Sequence, residues 1–402
     1  MKKRYVDPFT PDVPIDDPAR FAGRNSEVDN ITDSLFQLAH ENPKHTIITG
    51  DRGIGKSSLL LQVNNLANGD TTLPERLGID TGVESFDFIC AWHDCAADQG
   101  PIELAQGIIS QLQSSLKNAL GKINIEFNLN GFVNISKKEG DSNSIVEVVN
   151  LFCSELEKAS NKAKEKESMG LVLFFDELDR VSVTSGIATF FKLTAERLAR
   201  SKVTNVAIFA AGITGAIQGL EEEHGSIYRT FKDVPLPRLE EGEVEEILSE
   251  GFQKVSHGYD HDVCKRVSHA SAGYPEPVHL LGSQLLSVDS DNYLDGEDFE
   301  NAMTRTVESL RRNKLANTLK AAGSGKYQKI LQSMANYDGQ NVPLTHISEH
   351  IGYEQNQYST NMANLVERGI IKQVDRGVYS FVEPLLEQYI SRFGVINTEE
   401  DV

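Results

Sequence analysis

Residues 45–57 read His-Thr-Ile-Ile-Thr-Gly-Asp-Arg-Gly-Ile-Gly-Lys-Ser, and the stretch Gly50-x-x-x-x-Gly55-Lys56-Ser57 has the spacing of a phosphate-binding P-loop. Glycines allow the backbone to curl until successive N–H groups point inward at phosphate oxygens, which a Cβ would obstruct. A helix starting at the loop's end adds unpaired N–H groups and a partial positive charge. Lys56 reaches toward β- and γ-phosphates, and the Ser57 hydroxyl is a ligand for Mg²⁺. The candidate nucleotide contacts are therefore Gly50, Asp51, Arg52, Gly53, Ile54, Gly55, Lys56, Ser57 and Ser58. A second constellation, Phe174-Phe-Asp176-Glu177, ends an apolar run that begins at Leu171 and lies 120 positions after Lys56. Asp176 suits a direct or outer-sphere partner of Mg²⁺, and Glu177 suits the group that orients or deprotonates water for attack on a γ-phosphate.

These groups need elements to hold them. The apolar run over 46–49 predicts a buried strand and 57–66 the helix after it. Further strands are predicted over 86–92, 171–175 and 203–211, the last running into Gly212-Ile-Thr214-Gly-Ala. Helical spacing over 26–39, 102–112, 145–164 and 186–200 fills the intervals. Strands alternating with helices predict an α/β core with a mostly parallel sheet, whose ligands bind beyond the C-terminal strand ends. Gly50, Asp176 and Thr214 all fall there. Residues 123–135 alternate with period two around Asn130-Gly131, which predicts a small inserted β-hairpin.

Composition narrows the class. The chain has 402 residues, 39% apolar and 24% charged, enough for two or three domains with a large core. The net charge is −20, which opposes non-specific attachment to nucleic acid but leaves room for one local contact surface. No apolar run approaches the ~18 residues of a membrane helix, and the basic N-terminus lacks the apolar stretch of a signal peptide, so a cytoplasmic location is expected. Four cysteines imply no disulfide framework. Cys90, His93 and Cys95 cluster, but a structural zinc site needs a second ligand pair, so a strand end with two small buried thiols is expected instead.

From residue 237 the pattern turns all-helical, with helices expected over 240–255, 260–272, 276–287 and 296–320. Residues 323–393 then repeat the parts of a winged helix: helices over 326–335, 344–351 and 357–368, followed by two short strands around Asp375-Arg-Gly377. Asn356, just before the last of these helices, and Gln357, Asn361 and Asn364 on it are candidates to read base edges. Charge argues the other way: over 321–396 six basic residues face seven acidic ones.

Taken together the motifs resemble the AAA+ ATPases, specifically the branch of archaeal-type ATPases and origin-recognition initiators, with STAND signalling ATPases as neighbours. Gly50 to Ser57 looks like Walker A and 171–177 like Walker B. The resemblance implies ATP and Mg²⁺ as cofactors and ATP hydrolysis as the reaction. It implies a core over 1–237, a helical lid over 238–320, a winged helix over 321–396 and an acidic tail over 397–402. Asp7-Pro-Phe and Phe21-Ala-Gly23-Arg24 look like the segment that packs against adenine. Thr214 falls near the sensor-1 position, Arg229 near the arginine finger that reaches a neighbouring subunit, and Pro275 in the sensor-2 motif. That motif normally offers arginine where this chain has Glu276, which suits a slow switch better than a fast motor. A homo-oligomer is implied, with either DNA or an effector protein as the target of the winged helix and a transposition-type, DNA-coating ATPase as a third reading.

Overall fold

The computed structural model describes residues 5–120, 126–136, 144–182, 185–212, 229–310, 318, 321–323 and 325–394. The chain divides into two compact units, Val13–Pro237 and Met1–Asp12 with Arg238–Val402.

The first unit is built on five parallel strands: β1 (His45–Thr49), β2 (Phe88–Asp94), β3 (Gly170–Asp176), β4 (Val206–Gly212) and β5 (Phe231–Pro235), in the order β2-β3-β4-β1-β5. Every residue of β1, β3 and β4 is buried, which is why these strands read as unbroken apolar runs instead of alternating ones. Helices α1 (Asn25–Ala39) and α2 (Lys56–Ala67) pack together, with α3 (Thr72–Leu77) against α1. Four more helices share a large apolar cluster with the sheet: α4 (Pro101–Leu120), α5 (Leu129–Ser136), α6 (Ser144–Glu165) and α7 (Ile187–Arg200). Phe152, Phe190, Phe191, Phe175 and Phe231 form its aromatic centre.

The expected hairpin is a helix. Asn128 accepts the Gly131 N–H through its side chain at 3.0 Å, an N-cap bond that starts α5 at Leu129. Phe132 and Ile135, three apart, are then buried together against α4 and α6. The same residues satisfy both periods over so short a span, and the available core selected the helical one. Residues 121–125 lie outside the described residues.

The second unit contains α8 (Glu241–Lys254), α9 (His261–Ser271), α10 (Pro275–Val288) and α11 (Gly296–Leu310). It is not wholly helical, because β6 (Gly258–Tyr259) and β7 (Tyr293–Leu294) pair in parallel. Next come α12 (Lys326–Ala335), β8 (Val342–Pro343), α13 (Leu344–Ile351), α14 (Gln355–Glu367), β9 (Ile371–Asp375), β10 (Val378–Phe381) and α15 (Pro384–Phe393). The three strands form an antiparallel sheet in the order β8-β10-β9, so three helices and a wing are present as the sequence predicts, with β8 and α15 added.

The N-terminal residues of this unit are anchored by shape. Phe9 is buried between α8 and α10, edge-on to Phe252 and His279. A Cβ at Gly251 or Gly282 would lie 2.3 or 2.7 Å from the Phe9 ring. Helix propensity alone says that Gly282→Ala should stabilise the chain by about 1 kcal/mol. Overpacking against Phe9 should reverse that sign, lowering stability by about 1–3 kcal/mol in denaturant titration. In a Phe9→Ala background the same substitution should become neutral or stabilising, and an unchanged penalty there would separate Gly282 from Phe9.

Candidate nucleotide site

The loop after β1 adopts a curl that side chains would block. Gly53 and Gly55 have φ of 75° and 99°, and a Cβ on Gly50 would come within 2.9 Å of Ile54 Cγ2. Ile54 is 1% exposed and pins the loop from inside, while Asp51, Gly53 and Gly55 to Ser58 remain partly exposed and Arg52 is exposed. Gly55 caps α2, so the helix's first N–H groups open onto the loop. Lys56 folds back over it, donating through Nζ to the carbonyls of Gly50 at 3.1 Å and Asp51 at 2.8 Å. Burial lowers the Lys56 pKa, while the carboxylates of Asp179, Asp176 and Asp51 oppose that fall.

Asp176 ends β3 and is 7% exposed. Its carboxylate accepts the Ser57 hydroxyl and, at 2.8 Å, the Glu177 N–H. Burial nevertheless raises its pKa, since two hydrogen bonds do not replace the lost water and Asp94 adds like charge from the neighbouring strand. A buried carboxylate touching a hydroxyl, both hard oxygen donors, fits a divalent cation such as Mg²⁺. Glu177 adopts left-handed backbone geometry (φ 55°, ψ 38°) and leads into a 3₁₀ turn over Leu178–Arg180. Residues three apart eclipse in such a turn, which sets Glu177 Oε1 2.7 Å from Arg180 Nη2. Sequence reasoning stopped at Glu177 and missed Asp179, which acts on Lys56, and Arg180, which holds Glu177. The signal was the charged pair directly after the acidic motif.

The N-terminal segment is strapped along this site. Ile15 donates its N–H to Ser58 Oγ at 3.0 Å, Gln62 donates to the carbonyls of Ile15 and Asp16, and Asn65 donates to that of Asp16. Ser58 thus faces the strap. Phe21 is buried, and its carbonyl accepts Arg76. Gly23 and Arg24 both have positive φ, and the Arg24 guanidinium donates to the Ile54 carbonyl at 3.1 Å and to that of Pro237.

Arg229 is exposed, two residues before Phe231, which pairs with His45 at the start of β1. The length of β1, about 16 Å, therefore separates it from the P-loop of its own chain. Pro275 opens α10 in the other unit, with Glu276 exposed in the first turn. Thr214 and the 397–402 tail lie outside the described residues. Cys90 lies on β2 and Cys95 just after it, and burial pushes both thiols up to about 12. No helix among the described residues is long and apolar enough to cross a membrane.

Comparison with solved structures decides the fold. A Walker-type ATPase of Pyrococcus abyssi, PABY2304, superposes with a TM-score of 0.58 at 18% identity, covering 94% of this chain and 98% of the other. The chain has the AAA+ P-loop ATPase fold. A second AAA+ structure, the ORC2 protein of Aeropyrum pernix described in ADPNP–ADP complexes, matches with a TM-score of 0.53 at 10% identity over 91% of this chain and 93% of the other. Among family models, residues 309–390 match a domain of unknown function, DUF8462. No curated protein matches. In this fold the glycine loop follows β1, the strand on whose two sides β4 and β5 lie, the position where open parallel sheets receive ligands.

Proposed function

We propose that the chain is an ATP-binding and ATP-hydrolysing switch whose nucleotide state controls assembly with copies of itself and engagement of a partner. The observation that carries this is the contact of Ser57 with buried Asp176 beside the glycine-lined loop. The loop amides and the α2 N-terminus receive the phosphates, and Lys56 exchanges the Gly50 and Asp51 carbonyls for phosphate oxygens. Ser57 and Asp176 would hold Mg²⁺, which would supply charge neutralisation on the phosphates when bound. Glu177 accepts the proton of the attacking water, and to do so it must part from Arg180. The distance of Arg229 from its own loop supports a role toward a neighbouring copy, which would make hydrolysis depend on assembly. The exposed Glu276 in the sensor-2 position supports slow turnover.

Contacts in the second unit favour a protein partner over a DNA groove. Arg368 donates to the carbonyls of Ala321 and Ala322 and lies over Tyr327. Lys372 donates to Tyr274 Oη, and Arg392 pairs with Glu300 at 2.8 Å. Gln357 closes a capping box with Glu354, and Asn364 donates to Tyr327 Oη. Lys326 donates to the Gln357 carbonyl at 2.8 Å and Lys329 to Tyr353 Oη at 3.3 Å, so five of the six basic residues and two of the four base-reading candidates have side-chain hydrogen bonds within the protein. The Lys326 and Lys329 bonds are solvent-exposed, beside the Tyr353 ring, so these two lysines and Arg376 are the three most available to phosphate.

The test is mass in solution with ATP and with ADP, each with and without duplex DNA. A mass that differs between the two nucleotides is expected. Any DNA affinity should fall with salt no more steeply than about the third power, near three phosphate contacts. A slope of six or more would return the DNA reading to first place, and equal masses in ATP and ADP would remove the switch.

A further inference from the structure

We propose that Arg24 is a positioning residue that aims the Gly55 N–H into the phosphate nest; this deepens the nucleotide-switch reading and rests on it. The Arg24 side chain is buried (the residue is 4% exposed), and its guanidinium donates to the Ile54 carbonyl at 3.1 Å. A trans peptide is planar, with its C=O and the following N–H pointing in opposite directions. Drawing the Ile54 carbonyl toward Arg24 therefore turns the Gly55 N–H away from Arg24, to the other side of that peptide. Gly55, with φ of 99° and no Cβ, has the freedom to let the peptide rotate if that hold is lost. The second donor of the fork reaches Pro237, the last residue of the nucleotide-binding unit. One rigid cation thus holds two backbone carbonyls 183 residues apart, which a lysine's single ammonium on a flexible stem cannot reproduce with the same geometry. Arg24 acts on phosphate through the Ile54–Gly55 peptide, without touching the ligand.

Competition against a fluorescent ATP analogue separates this role from the adenine contact that the sequence suggested. The probes are ATP and inorganic tripolyphosphate, and the variants are Arg24→Lys, which retains a buried cation, and Arg24→Gln, with thermal melting as the control for folding. The expected result is that Arg24→Lys melts near the unsubstituted chain and binds both probes about ten- to a hundredfold more weakly, by the same factor. A loss confined to ATP would overturn the proposal in favour of adenine recognition, and so would unchanged affinity for both probes. Parallel losses only in a variant that no longer melts cooperatively would make Arg24 a folding residue instead. If the unsubstituted chain binds neither ATP nor tripolyphosphate, the nucleotide reading itself fails, and the role of Arg24 fails with it.

Discussion

Glu177→Gln should bind MgATP as tightly as the unsubstituted chain while phosphate release falls by about 10²–10⁴-fold. The substitution keeps size and hydrogen bonding but removes the basic oxygen. Binding should survive because the phosphate contacts come from the loop amides, Lys56 and the α2 N-terminus, and Glu177 sits apart from them at a partly exposed position held by Arg180. Single-turnover phosphate release together with equilibrium binding checks both halves. Equal turnover would mean that another group handles the proton, and Asp179, two residues on, is the next to substitute.

Acid should weaken the first unit through His45. Its ring is buried at the start of β1, and Nδ1 accepts the Ile208 N–H at 3.1 Å. Protonation would destroy that acceptor and place a cation against Phe231, and burial lowers the His45 pKa from 6.5 to about 4. In the unfolded chain the ring titrates near 6.5, so between the two values the unfolded state binds the extra proton. The stabilisation is complete above pH 6.5 and is lost as pH falls toward 4, a difference of about 3 kcal/mol. Denaturant titration at pH 7.5 and pH 4.5 should show most of it. His45→Gln should lower stability at pH 7.5 and flatten the dependence over this range. A variant that kept the full slope would place the acid sensitivity on other groups.

The sheet was readable because its central strands are buried on both faces, leaving long apolar runs ended by glycine or acid. Edge strand β5 was not, since Lys232, Asp233 and Pro235 face partly outward and break the pattern. The glycine loop after β1 and the acidic motif at the end of β3 were readable because their geometry is local, with glycines at the curl and charges at a strand end. Arg24 was not, because its role is set by carbonyls at positions 54 and 237 that only folding brings together. The same holds for Phe9, whose place between two helix glycines only folding brings about. Residues 129–136 show the limit of periodicity itself, since eight residues serve a helix or a strand until a core chooses.

Titration of the unsubstituted chain and of Lys56→Ala with ATP, in the presence and absence of Mg²⁺, tests the central claim most directly. One ATP per chain, bound more tightly with Mg²⁺ and no longer measurably bound by Lys56→Ala, is the predicted result. Absence of binding by the unsubstituted chain, or equal binding by Lys56→Ala, would contradict the assignment of this loop as the nucleotide site.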